Sequence, residues 1–560
     1  MSQSLIAFDT DHIKGYVFGT SKLKEIRGAS SMLDHLNRDL TRNEAKKSQY
    51  KATSIYMNGG SALFLIDIEK AEELGQAVQK LYREQTGGGA SISYAIQPIP
   101  DSYLSRSQNI MHVEMPDVLE LLRYRLRQAK DGGRVSQQKN ETEDSYITHP
   151  SHPFLATCNS CGLAYAEDTR LDNDDPDEPE GRYCRVCIGK RDEDKNVRMH
   201  ISDLIQAAHN HQGSSKTLWG RILQAIMQPE PNKPVYLLPA NTQRPKDFNV
   251  FRNFTHGKEY LGLIYADANG MGKALERATT LQQVQDFAQL VDGAVFKAMG
   301  YAICQHLPVQ HLEQKNFFPF DVLLVGGDDI VMVTPADKVL QVAHALAKRF
   351  NDVTNKQYTL SVGIVLAPVK YPFNLQRTLA EDALKAAKKS GSMQNVSSDS
   401  KLEQSRINFV VVTGNTSLSY EKVYGEMYRK HKNIDYKEEF YATLRPYNPG
   451  DLAWLLGQLK HEKAQRLGRT KLHQMREAIL KCNRTTSILE ALALLRNWRS
   501  DERDFIKSMV ERFNNRQTRR QEDMGILFPW YLDGNSSSPD LTVYRTPLLD
   551  FIELYDFISS

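Results

Sequence analysis

The chain has 560 residues, 41% of them hydrophobic, enough for several packed cores, since one core rarely organises more than about 250 to 300 residues. Lys plus Arg number 71 and Asp plus Glu 68, a formal charge of +3, which excludes a protein that coats nucleic acid through bulk charge but leaves local basic surfaces possible. No apolar run approaches the roughly 20 residues that cross a bilayer, and the opening fifteen residues lack the charged start and small-residue cleavage site of a secretory leader, so a cytoplasmic protein with no membrane partner is expected.

Residues 1–110 open on an apolar strand, Ser4-Leu5-Ile6-Ala7-Phe8, that ends in Asp9 and Asp11, followed by a helix over 30–38. Two strands around Ser54–Met57 and Ala62–Ile66 flank Asn58-Gly59-Gly60-Ser61, a tight hairpin signal. A helix over 69–84 and a strand over 90–96 complete the order strand, helix, hairpin, helix, strand, which is that of a ferredoxin-like or palm unit.

Residues 111–245 begin with a helix, pass through an exposed polar stretch over 130–144, and contain a cysteine module at 148–191. Four of the six cysteines fall there, as Cys158-Asn159-Ser160-Cys161 and Cys184-Arg185-Val186-Cys187. Two such knuckles present four thiolates, the tetrahedral donor set of structural Zn²⁺. Reduced cysteines without metal and an iron-sulfur centre are the alternatives. Four protein ligands leave no position for water, so the module is a folding staple. Its loop from Glu167 to Glu180 holds eight acidic residues and is no nucleic-acid contact. Cys304 and Cys482 read as ordinary thiols, and the region closes on helical sequence over 201–228.

Residues 246–439 hold the chemistry. The buried strand pattern Leu261–Ala266 ends in Asp267, and Ala268-Asn269-Gly270-Met271-Gly272 leads into a helix whose amino end suits phosphate. Some 60 residues on, Asp321–Val325 runs through Gly326-Gly327-Asp328-Asp329 into Ile330–Val333. If this hairpin lies beside the first strand, Asp267, Asp328 and Asp329 converge. Such carboxylates repel unless cations or protons compensate them, and their oxygens suit a pair of Mg²⁺ or Mn²⁺ ions. A strand over 358–366 precedes a helix over 375–389, whose Lys385, Lys388 and Lys389 are candidates to reach a triphosphate. The strand pattern at 408–413 extends or covers this unit.

Residues 440–560 are dominated by helix patterns, at 451–461, 472–482 and 487–498, with no catalytic cluster. Arg244, Lys246, Arg252 and Lys258, and in the tail Lys460, Lys463, Arg466, Arg469, Lys471 and Arg476, are candidate phosphate contacts or plain solvated faces. Trp454, Trp498 and Trp530 read as core or interface.

The two palm patterns form a coarse repeat. Phe8-Asp9-Thr10-Asp11 parallels Tyr265–Asn269, and Met57–Ala62 parallels Leu324–Asp329. On that alignment Ser61 and Ala62 stand where the second copy has two aspartates, leaving one scaffold copy and one catalytic copy.

The ordered set Tyr265-Ala266-Asp267-Ala268-Asn269-Gly270, Gly326-Gly327-Asp328-Asp329, Ser361-Val362-Gly363-Ile364-Val365 and Ala383–Lys389 resembles the large polymerase/cyclase-like subunit of type III CRISPR effector complexes, or a related antiviral signalling cyclase. The resemblance implies an α+β fold of two ferredoxin-like palm domains with a zinc-binding insertion and a helical C-terminal domain. It implies a nucleotidyltransferase that joins ATP through 3′-5′ bonds into cyclic oligoadenylates, with Asp267, Asp328 and Asp329 as metal ligands and the Ala268 carbonyl as a backbone ligand. Gly326 and Gly327 would shape the hairpin, Asn269 the nucleotide pocket, and Lys388 would neutralise phosphate. Arg27, in the Lys24–Ala29 segment, is the residue the family's first palm carries over. Guide and target RNA, small effector subunits bound to the helical tail, and further copies of the chain are the implied partners. Many family members carry an HD nuclease domain; no paired His-Asp signature precedes the first palm here, so DNA cleavage is not expected. The hairpin also resembles that of diguanylate cyclases, but the acidic pair and the two-palm plan favour the CRISPR-like relation. The other readings are a structural, target-sensing subunit with little synthesis and a template-dependent polymerase, for which no fingers or thumb pattern is evident.

Overall fold

The computed structural model describes residues 3–105, 109–131, 156–170, 180–210, 217–255, 258–393, 404–414, 419–433, 438–481, 484–514, 528–533 and 542–558. Cys482, most of the polar stretch at 130–144, the centre of the acidic loop at 167–180 and most of the segment at 392–404 lie outside the described residues.

The first sheet comprises β1 (Gln3–Asp11), β2 (Thr53–Asn58), β3 (Ser61–Asp67) and β4 (Ser91–Pro98), in the order β2-β3-β1-β4. Each neighbouring pair is antiparallel. Alternation along β1 sends Ile6 and Phe8 into one core and Leu5 and Ala7 into another, as a two-residue period requires. The helices Leu23–His35 and Ile68–Gln85 supply residues to the first core. The helix Pro116–Asp131 covers the second with Val118, Leu119 and Leu122. The first of these helices starts earlier than its sequence pattern suggests and is followed by a π-turn over Leu36–Leu40.

A small hairpin, β5 (Asp168–Arg170) with β6 (Gly181–Tyr183), belongs to the cysteine module, from which the helix Arg185–Met199 departs. That helix crosses Leu23–His35 closely. A Cβ on Gly28 would stand 1.7 Å from the Lys190 carbonyl oxygen, so only glycine admits this approach.

The second sheet contains β7 (Tyr260–Ala268), then, beyond the small hairpin of β8 (Gln310–Leu312) and β9 (Lys315–Phe317), β10 (Asp321–Gly326), β11 (Asp329–Pro335), β12 (Leu360–Pro368) and β13 (Ile407–Val411). Its order is β10-β11-β7-β12-β13, with β13 parallel to β12. The first four strands repeat the order of the first sheet. β7 and β12 are buried nearly throughout, as continuous apolar runs covered on both faces should be. The 26-residue helix Leu281–His306 starts from a capping box between Thr280 and Gln283.

The two sheets are joined reciprocally. The helix Leu281–His306 reaches the first sheet, where Gln285 donates to the Ile55 carbonyl at 2.8 Å and Asn58 donates to the Ala288 carbonyl at 2.9 Å. In return, Arg27 on the helix Leu23–His35 bonds Asp321 at the start of β10, at 3.0 Å. Between them the two hairpin turns touch backbone to backbone. Gly59 has φ +58°, and a Cβ there would lie 2.2 Å from the Gly327 nitrogen.

Helices Pro449–Leu459, Arg469–Ile479, Arg484–Arg496, Ser500–Asn514 and Leu548–Ile558 fill the C-terminal region. They are accompanied by a four-stranded sheet of β14 (Arg429–Asn433), β15 (Glu438–Tyr441), β16 (Tyr531–Asp533) and β17 (Thr542–Arg545), in the order β14-β15-β17-β16. This sheet joins strands from both sides of residue 440, which the helix patterns of the tail did not indicate. Arg445, fully buried just beyond β15, ties the last helix to the second sheet: its guanidinium bonds Asp550, Glu553 and the Phe409 carbonyl of β13.

Candidate nucleotidyl-transfer centre and cysteine cluster

Asp267 is the penultimate residue of β7 and pairs with Ser361 of β12. On its other side the ladder with β11 closes at Ala266 and Ile330, and one further step sets Asp329 beside Asp267. Gly326 pairs with Asp329, so Gly327 (φ +67°) and Asp328 form the two-residue turn.

Burial pushes the Asp328 carboxyl up to about 8, helped by the charge of Asp267, a hydrogen bond to it, and the charge of Asp329. Burial and Asp267 push Asp329 up to about 6, against the pull of Lys14 and Lys388. At neutral pH the centre therefore retains a proton that a divalent cation would displace. Lys388, on the helix Phe373–Met393, donates to Asp267 at 2.5 Å and to the Ala268 carbonyl at 3.1 Å. An ammonium thus stands on two of the oxygens expected to bind metal. Asp329 Oδ1 is buried and has no hydrogen-bond partner among the described residues. These donors fit a hard, oxygen-liganded cation. The three aspartates do not form a cluster as tight as that of the cysteines described below.

Asn269 is buried beside the centre, its amide held by Thr359 Oγ1 at 2.8 Å and its backbone N–H by the Thr359 carbonyl at 2.8 Å. Lys385 instead faces solvent beside Asp382 and Glu381.

The first sheet holds a reduced version of the same arrangement. Asp9 of β1 pairs with Ser61 on one side and Ser93 on the other, as Asp267 lies between Asp329 and Ser361. Asn58 pairs with Ser61 across the turn Gly59-Gly60. The hydrogen-bond register therefore sets Gly60 and Ser61, not Ser61 and Ala62, at the places of Asp328 and Asp329. Matching Gly-Gly to Gly-Gly in the sequence misplaces the repeat by one residue, because one hairpin turns on Gly59-Gly60 and the other on Gly327-Asp328. Lys130, near the end of the helix that follows β4, forms an ion pair with Asp9, the counterpart of Lys388 and Asp267. Neither Lys130 nor this pairing was singled out in the sequence; a lysine at the end of the helix after the fourth strand in both copies was the available signal.

Lys14 and Glu381 were also missed. Lys14, from the short helix Ile13–Val17, reaches across to the second sheet, 3.8 Å from Glu381 and 5.0 Å from the centroid of the Tyr265 ring.

Arg27 lies away from the acidic centre. Its guanidinium, 1% exposed, bonds Asp194 at 2.8 Å, Asp321 at 3.0 Å and the Pro245 carbonyl at 2.7 Å. Arg244 joins this network through Asp321 at 2.6 Å and lies over Trp219, so it is a packing residue and no phosphate contact. In the tail, Lys471 pairs with Glu502 and Arg469 with Asp556, while Trp498 and Trp530 are buried.

Cys158, Cys161, Cys184 and Cys187 bring their sulfurs within 4.8 Å of one another, the one such group among the described residues. Cys161 and Cys184 stand 3.8 Å apart, far beyond the roughly 2.05 Å of a disulfide and near the spacing of two sulfurs about 2.3 Å from a shared tetrahedral ion. The Cys187 thiol, bonding Cys184, pushes the latter down to about 5. The cluster suggests a structural zinc site. Its surroundings tie it to the first sheet: Ser160 donates to Glu25, whose carboxylate also binds Arg191 at 2.6 Å.

A four-stranded antiparallel sheet of this order, with an acidic hairpin at one end, is a palm. Residues 260–397 match the family model of the Cas10/Cmr2 second palm domain. The chain is 25% identical over 153 residues to the CRISPR system single-strand-specific deoxyribonuclease Cas10/Csm1 (subtype III-A) of Mycobacterium tuberculosis, a match covering 25% of this chain and 19% of that protein. Its fold is similar to that of a Csm1-Csm4 cassette in complex with pppApA (TM-score 0.54, 13% identity, 100% of this chain and 69% of the matched chain). It is also similar to a cassette in complex with cA4 (TM-score 0.51, 14% identity, 86% of this chain and 62% of the matched chain). The chain thus spans less than two thirds of that cassette chain, and its match to the mycobacterial protein about a fifth of it. The chain resembles Cas10/Csm1, the large subunit of type III CRISPR-Csm effector complexes. Among the described residues no helix is long and apolar enough to cross a membrane.

Proposed function

We propose that this chain is a metal-dependent nucleotidyltransferase that converts ATP into cyclic oligoadenylates in antiviral signalling. Asp267, Asp328 and Asp329 side by side at the end of a sheet that matches the Cas10/Cmr2 second palm carry this reading. The first sheet, with the same strand order, is then the first of two ferredoxin-like palms, and the helices after residue 440 make up most of a C-terminal domain.

Asp267, Asp328, Asp329 and the Ala268 carbonyl would hold Mg²⁺ or Mn²⁺, with two ions the expected number. Bound there, the ions would activate a 3′-hydroxyl and stabilise the departing pyrophosphate. Lys388 then exchanges its carboxylate for the phosphates of the nucleotide. Asn269, fixed by Thr359, shapes the pocket wall, and Gly326 and Gly327 keep the hairpin tight. The first palm faces this centre across the Gly59–Gly327 contact and presents a second nucleotide near Asp9 and Lys130. Holding both reactants in one cleft converts a bimolecular reaction into an oriented displacement.

The likeness to Csm1-Csm4 cassettes supports a small subunit as partner; guide and target RNA as regulators are what the sequence resemblance implies. The test is incubation of the purified protein with each NTP and Mg²⁺ or Mn²⁺, with and without guide and target RNA, followed by mass analysis. Cyclic oligoadenylate from the wild type and none from the double variant Asp328→Ala/Asp329→Ala is expected. A folded protein that yields no nucleotide product under any condition would mark a structural, target-sensing subunit instead.

A further inference from the structure

The acidic centre is bordered by two lysines from different halves of the molecule. Lys388 comes from its own palm and is engaged by Asp267 and Ala268. Lys14 comes from the first half, on the helix Ile13–Val17 just beyond β1. Its ammonium lies 3.8 Å from Glu381, outside hydrogen-bond distance, and makes no hydrogen bond to any described residue. Glu381 does not depend on it, because Arg377 bonds the same carboxylate at 3.1 Å. Beneath Lys14 lies the ring of Tyr265, fully buried, whose hydroxyl has no partner among the described residues. Asp329 Oδ1 is likewise buried and unpartnered.

A strongly hydrated point charge, ion-paired at long range with Glu381, is thus held within electrostatic reach of Asp329 and over an unsatisfied tyrosine, with no hydrogen-bond acceptor among the described residues for its three donors. Its position is fixed by the seam behind it. Phe18, four residues on, packs against Phe373 with ring centroids 6.1 Å apart, and Arg377 lies 5.4 Å from the Phe18 ring.

The geometry points to Lys14 as a substrate-contacting residue that the first half supplies to the second half's centre, where it binds the phosphates of the nucleoside triphosphate held at Asp267, Asp328 and Asp329. This rests on the nucleotidyltransferase reading above. Carboxylates that collect divalent cations collect polyphosphate with them, and a second ammonium, which acts on Asp329 together with Lys388, adds to the phosphate cage. The centre is then complete only while the two halves are docked.

The experiment uses the full chain with its activating partners and the variants Lys14→Ala, Lys14→Arg and Lys14→Glu. Steady-state synthesis is measured together with equilibrium binding of a non-hydrolysable ATP analogue in Mg²⁺. Loss of one charge-assisted hydrogen bond predicts a KM and an analogue Kd about tenfold higher in Lys14→Ala, with kcat little changed. Lys14→Glu should bind more weakly still, Lys14→Arg should recover most of the loss, and all three should melt as the wild type does. Wild-type KM and analogue affinity in Lys14→Ala would overturn the assignment of Lys14 alone. Failure of the wild type to bind the analogue would overturn the underlying reading and this inference with it. If the wild type binds the analogue without turning over, the Kd comparison still decides the role of Lys14.

Discussion

Asp328 and Asp329 are raised to about 8 and about 6, and metal binds their ionised forms. Mn²⁺ affinity should therefore climb between pH 6 and about 8 and level off above, with a proton released per binding event near pH 7. Calorimetric titration in two buffers of different ionisation enthalpy reads that proton; pH-independent affinity would contradict the description of the centre. The sign for stability is opposite. A carboxyl whose folded pKa is raised binds protons more tightly in the folded chain, so its contribution is present below its ordinary value and lost as pH rises through the folded value. The metal-free protein should melt at falling temperature across pH 4 to 8, and Asp328→Asn or saturating Mg²⁺ should flatten that slope. For Lys388→Ala, removal of a phosphate-neutralising donor should lower kcat about 10²-fold, measured in the synthesis assay, with little effect on folding.

At the scale of elements, the hairpin contact and the buried ion network hold the centre in place. A Cβ on Gly59 would occupy the backbone of Gly327, at a residue already in the left-handed region. Gly59→Ala should therefore cost about 1–3 kcal/mol in denaturant melts and depress synthesis by displacing the Gly327-Asp328 turn, though residue 59 touches no substrate. Arg27 links the helix after the cysteine cluster to the start of β10, the strand that ends in Gly326. Breaking a buried pair of this kind costs about 3–5 kcal/mol, so Arg27→Ala should lower the melting temperature sharply. Removal of zinc by a chelator should raise hydrogen exchange first in the helices Arg185–Met199 and Leu23–His35, which share Gly28, Glu25 and Arg191. Unchanged exchange in Leu23–His35 would show the module to be independent of the first sheet beside it.

For the whole molecule, the most legible features were those written locally. Buried apolar strands ending in Asp267 and in Gly326-Gly327-Asp328-Asp329, two Cys-x-x-Cys knuckles, and the strand-helix-hairpin-helix-strand order of the first 110 residues all stand in the sequence as continuous patterns. What depends on docking was not legible. Arg244 read as a phosphate contact or a solvated face, and Arg27 only as a residue carried over from the family's first palm, yet both are consumed by Asp321 in the interior. The role of Lys14 exists only because the halves face each other, and Lys130 follows from a repeat whose register the hydrogen bonds, not the glycines, define. The C-terminal sheet escaped notice because its strands are three to five residues long, and β14 and β15 lie about 90 residues from β16 and β17 in the chain.

The central claim is that the end of β7 and the β10–β11 turn form a two-metal centre holding nucleotide phosphates. Anomalous diffraction from a crystal of the full chain with Mn²⁺ and a non-hydrolysable ATP analogue tests it most directly. The account predicts manganese peaks bounded by Asp267, Asp328 and Asp329, with the Lys388 ammonium moved from Asp267 onto phosphate. Nucleotide bound elsewhere, or these three aspartates free of manganese with Lys388 still on Asp267, would contradict it.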